Sequence, residues 1–222
     1  MIQTTVFLCA ALFAATIAAA PATPAAPALP AAAASLPAPD ATPRLAYGFL
    51  LKHGEKLVFA PCRDRSYALV EDVSSDQQVM RGLEMAGLAE GRKFYVELLG
   101  VSDGETLRAS ELNLAEADGR CQKPGGSDEA WLAIGHAPEW ALAAGGDKVT
   151  LQRQGAPEIN LPYRVFARRG EVAEFGDEGA DGLVAIRFEH QLCNDAKSAV
   201  VFGWTATVSV GGQTLRGCAW QR

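Results

Sequence analysis

The first folded segment alternates apolar and polar positions in short runs. "LAYGFLLK" (45–52), "KLVFA" (56–60) and "RSYALVEDV" (65–73) are separated by turn residues, a pattern that predicts three β-strands. Gly54 in "HGE" predicts a tight hairpin with a positive φ between the first two strands.

The pattern changes to a helical period after residue 74. In "SDQQVMRGLEMAGLAEG" (75–91), apolar residues recur at helical spacing, Ser75 and Gln78 fit a capping box, and Gly91 fits the helix end. Two further strands are predicted, "KFYVELLGV" (93–101) and "TLRASELNL" (106–114). Three strands, one helix and two strands is the element order of an OB fold, so we predict an OB-like five-stranded barrel over residues 44–122.

Beyond the Gly- and Pro-rich boundary "QKPGGSDE" (122–129) the pattern is that of strands only. "INLPYRVFA" (159–167) and "LVAIRFEHQLC" (183–193) alternate with period two, and residues 203–220 form a clear hairpin. The sequence therefore predicts a mainly β protein whose second domain, residues 128–222, is a small all-β barrel or sandwich.

The N-terminus predicts export. "VFLCAALFAATIAAA" (6–20) is an uncharged apolar run, shorter than the roughly 20 residues of a membrane helix and typical of a signal peptide. An A-x-A site places the signal peptide at residues 1–22, and residues 23–43 form a Pro/Ala-rich disordered linker. We predict a periplasmic protein with no transmembrane segment in the mature chain; the alternative is an anchor retained in the membrane. Lipid attachment at Cys9 is disfavoured, because Leu8 stands where a small residue is expected.

Four cysteines follow the linker: Cys62, Cys121, Cys193 and Cys218. An even number in an exported chain favours disulfides, and proximity along the chain suggests pairing the first two and the last two. A four-cysteine zinc site is the alternative, but the chain has no C-x-x-C spacing. The net charge of -6, with scattered basic residues, argues against nucleic acid as a partner.

"WLAIGHAPEW" (131–140) carries the main candidate chemistry. His136 and Glu139 are candidates to bind a divalent metal or share a proton, with His190 or Asp195 as a further ligand. The alternative, which we favour, is structural: complete ligand sets are demanding, and the two flanking tryptophans bury large areas. This interpretation assigns structural roles to the following residues: Trp131, Gly135, Pro138, Trp140, Asp195 and Gly217. Asp195 is expected to cap a loop through backbone amides.

No motif for nucleophilic catalysis is present: G-x-S-x-G does not occur, and the cysteines are assigned to disulfides. His190 lies on an apolar strand face, where a histidine is more often a hydrogen-bonded core residue than a ligand. We therefore predict no catalytic residue, no cofactor and no enzymatic activity.

Three motifs of the second domain resemble those of a family of uncharacterised proteobacterial envelope proteins. "WLAIGHAPEW", "CNDAKS" (193–198) and "RGCAW" (216–220) are similar to its W-x-A-x-G-x-E-P-x-W, C-x-D-x-x-S and G-C-A patterns. Ala137 departs from the family, which usually has an acidic residue there, so a role for that acid is not implied.

The first domain is similar to the OB-type domain of NlpE-like lipoproteins, which are associated with copper homeostasis and envelope stress signalling. "YGFLLKHGEKLVFAPC" (47–62) and "FYVELLG" (94–100) carry the resemblance. The lipobox and the C-x-x-C of that family's other domain are absent, so copper binding through that motif is not implied.

We expect an exported envelope protein that acts as a binding or stress-related accessory module without catalysis, with an envelope protein or cell-wall glycan as partner. A copper- or zinc-binding protein is the first alternative. A protein resembling the envelope lysozyme inhibitors is the second, although their S-G-x-x-Y signature is missing.

Overall fold

The computed structural model describes residues 42–121, 129–179, 182–195 and 197–222. The predicted signal peptide and nearly all of the predicted linker lie outside these residues. Within the described ranges, no helix is both long enough and apolar enough to cross a membrane.

The first module, which we call the barrel, is a closed five-stranded barrel with one helix. Its elements are β1 (Arg44–His53), β2 (Lys56–Pro61), β3 (Ala68–Asp72), a 3₁₀ turn (Ser75–Gln77), α1 (Gln78–Met85), β4 (Lys93–Ser102) and β5 (Thr106–Glu116). β1 pairs with β2 and β4, β2 with β3, and β5 with both β3 and β4, which closes the ring. The predicted five-stranded barrel with one helix is confirmed.

The helix is shorter than the sequence suggested. Asp76 and Gln77 have φ values of 52° and 53°, so the chain turns left-handed before α1 begins at Gln78. The first helical amides are bonded by residues upstream of the predicted capping box: Val79 N donates to Ser74 Oγ at 3.0 Å, and Met80 N donates to Asp72 Oδ2 at 2.8 Å. These bonds satisfy amides that a helix start leaves without an intrahelical partner.

The second module, which we call the half-barrel, is a curled nine-stranded sheet. Its strands are β6 (Glu129–His136), β7 (Glu139–Gly145), β8 (Lys148–Arg153), β9 (Ile159–Pro162), β10 (Ala167–Arg169), β11 (Val172–Gly179), β12 (Gly182–Glu189), β15 (Trp204–Val210) and β16 (Gln213–Gln221). Their order is β10-β11-β12-β15-β16-β6-β7-β8-β9. The prediction that this segment is all-β is therefore also confirmed.

One hairpin from the second half of the chain joins the barrel's sheet. β13 (Cys193–Asp195) and β14 (Val200–Phe202) form this crossover hairpin, and β14 pairs antiparallel with β5. Gly203 makes the return to the half-barrel possible, because a Cβ there would lie 1.7 Å from the carbonyl oxygen of Leu112. The domain division at "QKPGGSDE" (122–129) stays a prediction, and the crossover hairpin joins the two sides of it.

The half-barrel encloses an aromatic core. Trp131 stacks on Phe188 with ring centroids 4.8 Å apart and meets the edge of Trp204 at 5.0 Å. Trp204 and Phe188 are fully buried. Aromatic pairs of this geometry stabilise by about 0.5–1.5 kcal/mol beyond the area they bury.

Both predicted disulfides are present. Cys62 pairs with Cys121 at a Cα–Cα distance of 5.5 Å, and Cys193 pairs with Cys218 at 5.4 Å. The chain-entropy model assigns about 4 and about 3.5 kcal/mol to closing loops of these lengths. The first bond holds the segment after β5 against the end of β2, and the second ties the crossover hairpin to β16.

Candidate binding site at the junction of the two modules

A pocket of about 460 Å³ opens where the barrel meets the half-barrel. β4 and β5 form one side, β14 and the end of β16 form another, and the short segment after β5 forms the rim. Its lining includes Tyr95, Glu97, Asp118, Arg120, Phe202, Trp220 and Arg222. We call this cavity the junction pocket.

A buried carboxylate lies in the junction pocket. Glu97 is only 2% exposed, and both of its oxygens accept hydrogen bonds: Tyr95 Oη donates to Oε1 at 2.9 Å and Asn113 Nδ2 to Oε2 at 2.8 Å. Burial raises the pKa of the Glu97 carboxyl, and these two hydrogen bonds oppose the shift only in part. Burial and the neighbouring Glu97 carboxylate raise the pKa of the Tyr95 hydroxyl as well.

Asn113 connects this carboxylate to the half-barrel. Its side chain is fully buried on β5, and its Nδ2 also donates to the carbonyl oxygen of Gln221 at 2.9 Å. The backbone N–H of Gln221 donates to Asn113 Oδ1 at 2.7 Å. One amide side chain therefore bonds both the Glu97 carboxylate and the last residue of β16, which fixes one wall of the pocket against the other.

The remaining walls are aromatic and cationic. The Trp220 ring stacks on Phe202 at a centroid distance of 4.9 Å, and the Arg222 guanidinium lies 5.6 Å from the Trp220 centroid. Arg120 and Asp118 are exposed at the rim, next to the Cys62–Cys121 disulfide. The buried indole N–H of Trp220 has no hydrogen-bond partner among the described residues. The pocket thus combines flat apolar surface with donors, acceptors and guanidinium groups, as small-molecule sites commonly do.

The sequence-predicted pair His136 and Glu139 lies at the β6–β7 turn, where the two residues pair across the hairpin. His136 Nε2 is 3.1 Å from Asp195 Oδ2, the hydroxyl of Ser198 donates to the same oxygen, and Lys197 Nζ lies 3.4 Å from Glu139 Oε1. The turn is therefore bonded to the crossover hairpin. Burial raises the pKa of the Asp195 carboxyl, but the hydrogen bonds from Ser198, His136 and the backbone N–H of Lys197 outweigh burial and hold the pKa below its ordinary value.

The glycine and tryptophans of this motif pack tightly. A Cβ on Gly135 would lie 2.1 Å from Trp140 Nε1, and that indole N–H donates to the carbonyl oxygen of Arg216 at 3.2 Å. Gly217, beside that carbonyl, has no room for a Cβ either, since one would lie 1.9 Å from the carbonyl oxygen of Ile134. The peptide bond before Pro138 is cis.

His190 lies in a different cluster from His136. Its Nδ1 bonds the Glu171 carboxylate, its Nε2 is 3.9 Å from Glu111 Oε2, and its ring lies 4.7 Å from that of Trp204. Within the described ranges no three His, Cys, Asp or Glu side chains are grouped as a metal site would need. The structure therefore brings His136 and Glu139 together without His190, and the metal site stays a prediction.

Sequence reasoning missed the junction pocket. Glu97 lies within the predicted strand "KFYVELLGV", and a lone carboxylate inside an otherwise apolar strand core is a signal for a buried polar partner. That partner, Asn113, lies on the next strand, in "ELNL". Only the pairing of β4 with β5 places them side by side.

Fold and pocket together define a disulfide-linked, mainly β protein with a pocket between a closed barrel and a half-barrel. Comparisons with protein-family models, curated proteins and solved structures find no match for this chain.

Proposed function

We propose that this chain is an exported periplasmic accessory protein that binds a sugar of the cell envelope in the junction pocket and catalyses no reaction. The observation that carries the proposal is the junction pocket itself, with a buried, hydrogen-bonded Glu97 beside the Trp220 ring. We also take the barrel to be an OB fold, a class that includes oligosaccharide-binding members.

The chemistry of the pocket fits a hydroxyl-rich ligand. A pyranose ring presents an apolar C–H face that packs on an aromatic ring, here Trp220, and hydroxyl groups that need both donors and acceptors. Arg120 and Arg222 supply donors at the mouth, while Asp118 supplies an acceptor. Nucleic acid fits less well, because a chain with a net charge of -6 lacks the basic surface that phosphates require.

Binding without catalysis is supported by the state of Glu97. Both carboxylate oxygens are already bonded by Tyr95 and Asn113. A general acid or base must instead direct an oxygen at the reacting group of its substrate. We assign Glu97 to holding the pocket's walls in position.

Export is supported by the two disulfides, which are compatible with an oxidising compartment. The apolar N-terminal run and the Pro/Ala linker of the sequence support the same proposal. In the proposed exported protein, the Pro/Ala linker is a spacer that precedes the two folded modules.

The test is a titration of the disulfide-intact chain with N-acetylglucosamine, followed by tryptophan fluorescence. We expect saturable binding that Asp118→Ala, which removes the acceptor at the rim, weakens about tenfold, a loss of about 1.4 kcal/mol. Glu84→Ala is the matched control, because Glu84 is an exposed acid on α1 away from the pocket and should leave binding unchanged. Absence of saturable binding would overturn the proposal. Hydrolysis of a chitooligosaccharide that disappears in Glu97→Gln would overturn its non-catalytic part.

A further inference from the structure

A second concavity lies on the outer face of the half-barrel, over β6, β7 and β8. On this face the central strand β7 presents Ala141 and Ala143 in its middle, with Glu139 and Gly145 at its ends. Ala143 pairs with Leu132 on one side and Thr150 on the other, and Ala141 pairs in the same way with Ile134 and Gln152. Small residues between larger ones form the floor of a groove that follows β7, which we call the outer groove.

Two adjoining cavities of about 160 and about 420 Å³ make up the outer groove. They share Ile134, Ala141 and Gln152, so they are parts of one depression. Its apolar wall is formed by Leu132, Ile134 and the ring of Trp220.

The opposite wall is polar: Thr150 and Gln152 line the groove, and Asn160 and Glu158 bond them from beside it. Thr150 Oγ1 donates to Asn160 Oδ1 at 2.9 Å, Asn160 Nδ2 donates to Glu158 Oε1 at 2.8 Å, and Gln152 Nε2 donates to Glu158 Oε2 at 2.9 Å. The Gln152 amide, which lines the groove, uses one N–H in these bonds and has a second that can donate to a ligand. Fixing the side chains in advance lowers the entropy cost of binding.

Trp220 connects the outer groove to the junction pocket, because its ring lines both. We propose that the outer groove binds the continuation of the glycan held in the junction pocket, so that the ligand is a linear, hydroxyl-rich polysaccharide and not a single sugar. This inference rests on the proposed function for the identity of the first sugar.

A glycan fits the outer groove better than an extended peptide does. Every strand of the groove floor is paired on both sides, in the order β16-β6-β7-β8-β9, so the floor has no free strand edge for a peptide backbone to pair with. A bound peptide would have to satisfy its own N–H and C=O groups elsewhere. Sugar hydroxyls instead match the polar side chains that line the groove, Thr150, Gln152 and Glu139, while the C–H faces of a sugar match the alanine floor.

The test compares N-acetylglucosamine with its soluble tetrasaccharide by calorimetry on the disulfide-intact chain. We expect the tetrasaccharide to bind at least about tenfold more tightly than the monosaccharide. Ala143→Leu fills the groove floor and should remove this advantage while leaving the affinity for the monosaccharide unchanged. Ala185→Leu is the matched control, since Ala185 is a partly exposed alanine on β12 of the same sheet, and it should keep the advantage. Gln152→Ala, which changes the polar wall at an exposed position, should reduce the advantage without filling the floor.

The outcomes separate the two proposals. Equal affinity for both sugars in the unsubstituted chain, or an advantage that survives in both Ala143→Leu and Gln152→Ala, overturns the outer groove as a glycan site and leaves the junction pocket standing. No binding of either sugar overturns the proposed function. A cell-wall stem peptide that binds and is blocked by Ala143→Leu overturns the assignment of the groove to a glycan.

Discussion

Replacing Asn113 with alanine is expected to destabilise the protein by about 3–4 kcal/mol at neutral pH. The substitution removes one hydrogen bond to a carboxylate, worth about 1.5–3 kcal/mol, and two bonds to the backbone of Gln221, worth about 0.5–1.5 kcal/mol each. Gln221 is partly exposed, so water replaces part of the second contribution. Glu97 is buried and cannot recover its lost donor from solvent in the same way.

The loss of stability should depend on pH, with a definite sign. The Asn113 donor lowers the pKa of Glu97, so its removal moves an already raised pKa further upward. A carboxyl whose pKa is raised on folding contributes stability that is complete below its unfolded value of 4.5 and is lost as the pH rises through the folded value. The destabilisation by Asn113→Ala should therefore be larger at about pH 8 than at about pH 5.

Urea unfolding of the disulfide-intact chain, followed by far-ultraviolet circular dichroism, measures both quantities. The slope m should stay unchanged, so that a shift in midpoint reports stability alone. Asn194→Ala is the matched control, because Asn194 is exposed on β13, and it should change stability by less than about 0.5 kcal/mol. A destabilisation by Asn113→Ala below about 1 kcal/mol, or one equal at the two pH values, would refute the reasoning about the buried network.

Three further predictions follow from other parts of the fold. Gly203→Ala should lower the free energy of unfolding by more than about 3 kcal/mol in thermal unfolding, because its Cβ would lie 1.7 Å from the carbonyl oxygen of Leu112. Gly176→Ala is the control and should be nearly neutral, because its Cβ would have no atom nearer than 3.9 Å; equal effects of the two substitutions would contradict this. The lowered pKa of Asp195 contributes stability that is present above pH 3.8 and is lost as the pH falls through the folded pKa. In urea unfolding at a series of pH values, Asp195→Asn should therefore reduce the loss of stability at acidic pH, and an unchanged loss would contradict this prediction. The intact mass of the exported protein should lack the first 22 residues and should rise by four hydrogens on reduction of two disulfides; a lipid-modified mass would contradict the proposed route of export.

The sequence predicted most of the fold because both modules are built from local patterns. Alternating apolar positions mark the strands of the barrel, and chain proximity was enough to pair the cysteines. The sequence did not predict the crossover hairpin, because β14 has only three residues and pairs with β5, which is far away in the sequence. No local period reports a pairing of that kind.

The candidate site was harder to predict than the fold, because its residues become neighbours only through strand pairing. The sequence predicts both His136 and Asp195 as candidates, and the structure places His136 Nε2 3.1 Å from Asp195 Oδ2. Residue type alone adds His190 to this group, yet its neighbours are Glu171 and Glu111. Residue type identifies groups able to do chemistry, whereas the register of long-range strands decides which of them meet.

The contacts that join the two modules should link the stability of the protein to its proposed sugar binding. Three connections between the modules converge beside the junction pocket: the β14–β5 pairing, the Cys193–Cys218 disulfide and the bonds of Asn113 to Gln221. Because the same connections hold the pocket's walls at their spacing, a variant that breaks one of them should lose stability and sugar binding together. Residues at the exposed rim and in the outer groove take part in none of these three connections. Substituting them should therefore weaken binding while leaving the free energy of unfolding nearly unchanged.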